Sequence, residues 1–223
     1  MVCALIRAGL VTFSLGALSG VAHAVPTEMP SKATEAASAL VHGDVQQAVA
    51  AYSEALKDTA LSNDRRATIL NDRGIAYIKL GQAREAIEDF NAAAQLFPEF
   101  AAVYNNRGNL LLSLGLVKEA QKDFDRAIVL APGYAAAFNN RAGALVRLGK
   151  VDEAIRDYTK AIELMPSNPA PLSGRGRAHL KMMRPHAAIR DFSRAVTGDA
   201  RFAAGYRDRA EAKLEVGQHR FAW

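Results

Sequence analysis

The sequence predicts an all-α fold, a solenoid of antiparallel helix pairs stacked in series. Three observations predict it. Four segments, 67–100, 101–134, 135–168 and 169–202, align without a gap at a period of 34 residues. Within each segment, small residues and one ring recur at helical spacing. Half of the 223 residues are apolar, which excludes a chain disordered throughout and allows a sizeable core.

The elements follow in chain order. Residues 1–24 read as an export leader: Arg7 supplies the positive start, Ala8 to Val21 an apolar stretch too short and glycine-interrupted for a good membrane span, and Ala22-His23-Ala24 a cleavage site. No acidic residue precedes Glu28, and no cysteine follows the apolar stretch to take a lipid. The alternatives are an uncleaved anchor and a transit peptide, though a transit peptide carries more Arg and Ser. Cleavage after Ala24 would remove Cys3, the one cysteine. The remaining chain would fold without thiol hazard in an oxidising compartment, which suits a bacterial periplasm, and would have no stable membrane insertion. A single cysteine also excludes an intrachain disulfide framework, a cysteine zinc site and an Fe–S cluster.

Residues 25–66 read as a degenerate first helix pair and linker, with a copy of the repeat at 29–62 and a four-residue insertion, Asn63-Asp64-Arg65-Arg66. The four full units span 67–202. Their eighth positions are Gly74, Gly108, Ala142 and Gly176, and their twentieth are Ala86, Ala120, Ala154 and Ala188. A ring stands at the twenty-fourth, Phe90, Phe124, Tyr158 and Phe192, and alanine at the twenty-seventh, Ala93, Ala127, Ala161 and Ala195. Positions 20, 24 and 27 share one helix face. Small residues there and at position 8 let two antiparallel helices approach closely, with the ring beside them. Gly81, Gly115 and Gly149 stand where the first helix must turn, and Pro98, Pro132 and Pro166 end the second. Such a pair cannot bury its face alone, so units must stack. Residues 203–223 read as an incomplete fifth unit or a capping helix, with Ala210 at its eighth position.

This pattern resembles the tetratricopeptide repeat family over about residues 29–223. The resemblance implies a right-handed superhelix whose first helices line a concave groove, commonly a seat for a peptide or a partner's helix. Leu172, Arg175, Met182-Met183 and Ala200 depart from the family pattern, and Met183 replaces the turn glycine, so the fourth unit is expected to bend or loosen.

Each full unit carries arginine at position 7 and aspartate at position 23. In an antiparallel pair these fall at similar heights, which predicts the ion pairs Arg73–Asp89, Arg107–Asp123, Arg141–Asp157 and Arg175–Asp191. Structural pairing is the favoured role, and an arginine ladder for an anionic ligand the alternative.

By the family's geometry, positions 5, 6 and 9 face the groove. They hold Asn71, Asn105, Asn106, Asn109, Asn139 and Asn140, with Asp72, Ile75 and Gly143. Asparagine donates and accepts, so it can pair with peptide groups of an extended chain. The run resembles the asparagine ladder of the O-GlcNAc transferase repeat domain, for the groove alone. Arg147, Arg177 and Lys181 add positive charge on the same face and would favour an acidic ligand segment. A strict two-carboxylate clamp is not expected, because Asn71 stands where such clamps place lysine. Asp208, Glu211 and Glu215 make the last helix acidic.

The sequence offers no catalytic constellation. His42, His179, His186 and His219 lack metal-ligand partners at helical spacing, and Ser173-Gly174-Arg175-Gly176-Arg177 lacks the ending of a phosphate loop. No cofactor, metal or nucleic acid is expected: the net charge of +5 is mild, acidic residues interleave with basic ones, and aromatics are 7%. The expected function is a non-enzymatic protein-interaction scaffold holding a protein or peptide ligand in its groove. Two alternatives stand beside it. One is a module that self-associates through its C-terminal end, where Phe221 and Trp223 put two rings. The other is the N-terminal targeting arm of a longer protein, since the fifth unit stops short of an aspartate for Arg209.

Overall fold

A computed structural model describes residues 31–220. The leader over 1–24 with Cys3, the start of the first pair, and Phe221 and Trp223 lie outside the described residues, as do the side chains of Glu215 and His219. Helices α1 (Ser31–His42) and α2 (Val45–Ala55) form the first pair. Then come α3 (Asn63–Lys79) with α4 (Ala83–Leu96), α5 (Ala101–Ser113) with α6 (Val117–Leu130), α7 (Ala135–Arg147) with α8 (Val151–Leu164), and α9 (Pro169–Lys181) with α10 (Pro185–Gly198). A further helix, α11 (Ala203–Arg220), packs on α10. The described residues contain no strand, and the chain is an all-α solenoid.

Helices pack mainly on their neighbours in sequence. In addition, each odd-numbered helix touches the next odd-numbered one, whereas no two even-numbered helices touch. A stack whose members are closest along one side curves toward that side. The odd helices therefore line the inner, concave face.

The spacing of small residues and rings has its physical counterpart in the core. Ala86, Phe90 and Ala93 are fully buried, and so are Ala120, Phe124 and Ala127. A Cβ added to Gly74 would sit 2.8 Å from Phe90 Cε1, so the absence of a side chain there sets how closely α3 and α4 approach. Ala210 is exposed instead of buried, because among the described residues no second helix covers its face of α11. Ala212 takes the buried place, against Ala188 and Phe192.

Two further local features differ from the sequence expectation. Residues 63–66, expected as insertion and linker, form the first turn of α3. Arg66 fastens that turn to the end of α2 by donating to the carbonyls of Leu56 (2.8 Å) and Asp58 (2.6 Å). The turn of the fourth unit is not loosened. Met183 adopts φ +56°, the left-handed region that Gly81, Gly115 and Gly149 occupy in the other units. Its turn closes with Arg184 N–H donating to the His179 carbonyl at 2.9 Å, matching the bond from Gln82 N–H to the Tyr77 carbonyl. The non-glycine residue there costs about 1–2 kcal/mol, and its side chain stands in solvent.

Candidate functional site

Two polar ladders run along the solenoid. The first is made by the position-7 arginines. Arg73 donates through Nε (2.8 Å) and Nη2 (2.7 Å) to the two oxygens of Asp89. Arg107 binds Asp123 the same way, Arg141 binds Asp157 and Arg175 binds Asp191, all within 2.6–2.8 Å. These bonds raise the pKa of Arg73, Arg107 and Arg141 despite partial burial. Each Nη1 reaches in addition across to the second helix of the preceding unit: Arg73 to Ser53, Arg107 to Asn91, Arg141 to Asp125 and Arg175 to Thr159, at 2.7–3.0 Å. One guanidinium thus closes its own helix pair and fastens that pair to its neighbour. The second half of this clamp is absent from the sequence reading. Its signal was available: a polar residue sixteen positions before Arg107, Arg141 and Arg175, and twenty before Arg73, where the four-residue insertion intervenes.

The second ladder is built from the groove asparagines. Asn106 Nδ2 donates to Asn71 Oδ1, and Asn140 Nδ2 to Asn105 Oδ1, both at 2.9 Å. Within each helix the fifth position donates to the sixth: Asn139 to Asn140 (3.2 Å), Asn105 to Asn106 (3.4 Å) and Asn71 to Asp72 (3.1 Å). The result is one directed chain, Asn139, Asn140, Asn105, Asn106, Asn71, Asp72, crossing α7, α5 and α3. Asn71, Asn105 and Asn106 are buried. They fill the seams between odd helices and do not form an open wall, because a short side chain at positions 5 and 6 reaches the next helix before it reaches the groove. Asp72 ends the chain. Burial pushes its carboxyl up to about 6, against the opposing effect of the Asn71 hydrogen bond.

Asn109 is half-buried on α5 and makes no side-chain hydrogen bond among the described residues. Arg147 is exposed and donates to the Leu112 carbonyl at the end of α5 (2.8 Å), which leaves its charge uncompensated. Lys181 is exposed without a carboxylate partner among the described residues. Arg177 lies 3.3 Å from Asp208, which is buried and accepts from Ser173 at 3.1 Å. His179 is placed differently from a surface histidine. Its Nδ1 is buried without a hydrogen-bond partner, its Nε2 lies 3.9 Å from Asp191, and burial lowers its pKa. Among the described residues no cluster of His, Cys, Asp or Glu is placed to hold a metal ion, and no helix is long and apolar enough to cross a membrane.

A tetratricopeptide repeat family model matches residues 34–98, 71–135 and 105–169, a continuous span of more than half the chain. The chain is similar in fold to several solved structures. A crystal structure of MamA shares 24% identity at a TM-score of 0.64, covering 75% of this chain and 96% of that one. A thermophilic TPR protein of Thermus thermophilus shares 19% identity at a TM-score of 0.67, covering 82% and 97%. YrrB, described as a TPR protein with an unusual peptide-binding site, shares 19% identity at a TM-score of 0.62, covering 82% and 92%. No curated protein matches the chain.

Proposed function

The chain belongs to the tetratricopeptide repeat family, and from that premise we propose that it is a non-enzymatic scaffold that docks an extended peptide or a partner helix against its odd helices. The repeat fold itself supports protein–protein interaction. The observation that carries the groove reading is the division of labour on the inner face. Asn71, Asn105, Asn106 and Asn140 are spent on holding successive helices in register. Asn109, the Asn139 side-chain oxygen, Arg147 and Lys181 keep hydrogen-bonding capacity or charge that a ligand could use, while Arg177 pairs with Asp208. Arg147 and Lys181 have no carboxylate within ion-pair distance among the described residues, which favours an acidic ligand segment. The peptide-binding site reported for YrrB is a parallel in fold, at low identity. The leader-like N-terminus and the cysteine-free remainder support export to a bacterial periplasm.

The test is site-specific photo-cross-linking. A photoreactive residue replaces Asn109 on the inner face or Glu88 on the outer helix α4. Adducts with partner protein form from position 109 and not from 88, and an Arg147→Glu/Lys181→Glu background reduces them. Equal adducts from both positions would refute groove docking. A second reading, self-association, is favoured by one observation: Tyr206 and Leu214 are exposed on α11. Light scattering over a concentration range separates it, since a rising mass would support self-association and a constant mass would end it.

A further inference from the structure

Four seams join successive odd helices from α3 to α11, and three are closed by a side-chain bond between position 5 of one unit and position 6 of the next. These are Asn71–Asn106, Asn105–Asn140 and Ser173–Asp208. The α7/α9 seam is different. Its position 6 is Gly174, which has no side chain to donate, and among the described residues nothing on α9 is hydrogen-bonded to the Asn139 side chain. The ring beneath this seam is also different: it is Tyr158 in place of phenylalanine.

These differences are physically coupled. A Cβ on Gly174 would lie 2.4 Å from Tyr158 Cε1 and 2.9 Å from its hydroxyl, and one on Gly143 would lie 3.9 Å from the same hydroxyl. The tyrosine oxygen therefore emerges between two glycines, close to where the ladder asparagine begins in other units. Tyr158 is 7% exposed, and its hydroxyl makes no hydrogen bond among the described residues. Arg177 lies near enough for its charge to act on that hydroxyl.

The ladder's direction settles which group is left open. As a carboxylate Asp72 only accepts, so Asn71 presents its amide hydrogens to it and its oxygen to Asn106. The same choice passes through Asn105 and Asn140 to Asn139, whose Nδ2 is committed to Asn140. Asn139 Oδ1 remains at the α7/α9 seam as an acceptor without a donor.

We propose that this seam is a notch for a primary carboxamide, the side chain of an Asn or Gln in a bound peptide. The guest N–H donates to Asn139 Oδ1 and the guest carbonyl accepts from the Tyr158 hydroxyl, replacing the amide that Gly174 lacks. A backbone peptide group presents N–H and C=O on opposite sides, so one such group cannot serve both partners. A carboxylate has no donor and meets the Asn139 oxygen repulsively. The notch gives the groove a specificity element and rests on the groove reading.

The test is NMR on the isotopically labelled full chain, titrated separately with acetamide, acetone and acetate. Acetamide produces saturable shifts at the Asn139 side-chain amide, the Tyr158 ring and the Gly143 and Gly174 backbone amides. Acetone and acetate bind there about fivefold more weakly or worse, the loss expected for one missing hydrogen bond. Tyr158→Phe weakens acetamide by a similar factor of about five. Tyr158→Phe/Gly174→Asn fills the seam with a side chain pressed against the ring and abolishes the response. Where the double variant fails to fold, Tyr158→Phe decides, since it adds no atoms. An equal response to acetate, no saturable response to acetamide, or an unchanged Tyr158→Phe would each overturn the notch. Intact cross-linking from position 109 beside any of these would leave peptide docking standing.

Discussion

Replacing Asp123 by alanine takes both carboxylate bonds from Arg107, those at 2.8 Å to Nε and 2.6 Å to Nη2, and leaves one, the 2.7 Å bond from Nη1 to Asn91. Losing one partner of a fully buried pair costs about 3–5 kcal/mol. Here the arginine side chain is 22% exposed and the aspartate 10%, so water and Asn91 recover part of that, and the expected loss is about 2–3 kcal/mol. At this chain length that is a fall in melting temperature of about 4–12 °C. Two other acidic residues calibrate the result. Asp125 is half exposed and supplies one bond to Arg141, which keeps both bonds to Asp157; Asp125→Ala is expected to cost about 0.5 kcal/mol. Glu119 is exposed in the first turn of α6, and Glu119→Ala should cost about 0.3 kcal/mol through the helix dipole. The assay is urea denaturation followed by circular dichroism. An Asp123→Ala midpoint no lower than that of Glu119→Ala would refute the clamp. Arg107→Met/Asp123→Leu should recover most of the loss, because it removes the stranded charge as well as the bond.

Asp72→Asn should stabilise the chain at neutral pH. Its folded pKa, about 6, lies above the ordinary value, so the folded state gains from the proton, and stability falls as pH rises from about 4 to 6. The amide keeps an acceptor for Asn71, so the variant should gain about 1–2 kcal/mol at pH 7.5 and lose that slope; an unchanged pH profile would contradict the burial argument. Gly108→Ala puts a Cβ 2.7 Å from Phe124 Cε1; overpacking of about 1–3 kcal/mol should exceed the helix-propensity gain of about 1 kcal/mol. Gly198→Ala, with nothing within 4 Å of its new Cβ, should show the propensity gain alone, and a stabilised Gly108→Ala would refute close packing at position 8. His179→Leu removes the buried unpartnered Nδ1 and places on α9 the residue α7 has at Leu145. Because His179 has a lowered pKa, its neutral form is the one the fold favours, and wild-type stability should fall as pH drops below about 6.5. The leucine variant should melt higher at pH 5.5, and an equal melting temperature would count against the unsatisfied nitrogen.

How far the sequence could be read depended on whether a feature repeats at the unit's own period. The helix pairs, the packed rings and the partners Arg73–Asp89 through Arg175–Asp191 all recur at intervals of 34 residues, so alignment exposes them. The asparagine ladder shows its residues at that interval, Asn71, Asn105 and Asn139, but not which of them pair. It joins residues 35 apart, Asn71 with Asn106 and Asn105 with Asn140, because position 6 of one unit faces position 5 of the one before. Helical periodicity places both on the inner face but says nothing of depth along the seam between two helices. Depth is set by reach: a two-atom amide stem ends in the seam against the neighbouring helix, whereas Lys181 extends into solvent and Arg147, though exposed, reaches the Leu112 carbonyl at the end of α5. The same reasoning explains why the sequence assigns Gly174 no role beyond a stretch that lacks the ending of a phosphate loop. Its meaning lies in the residue it does not pair with, Asn139, and in the ring it must clear, Tyr158. Those two are separated from it by 35 and 16 positions, and only the stacked fold brings all three to one seam.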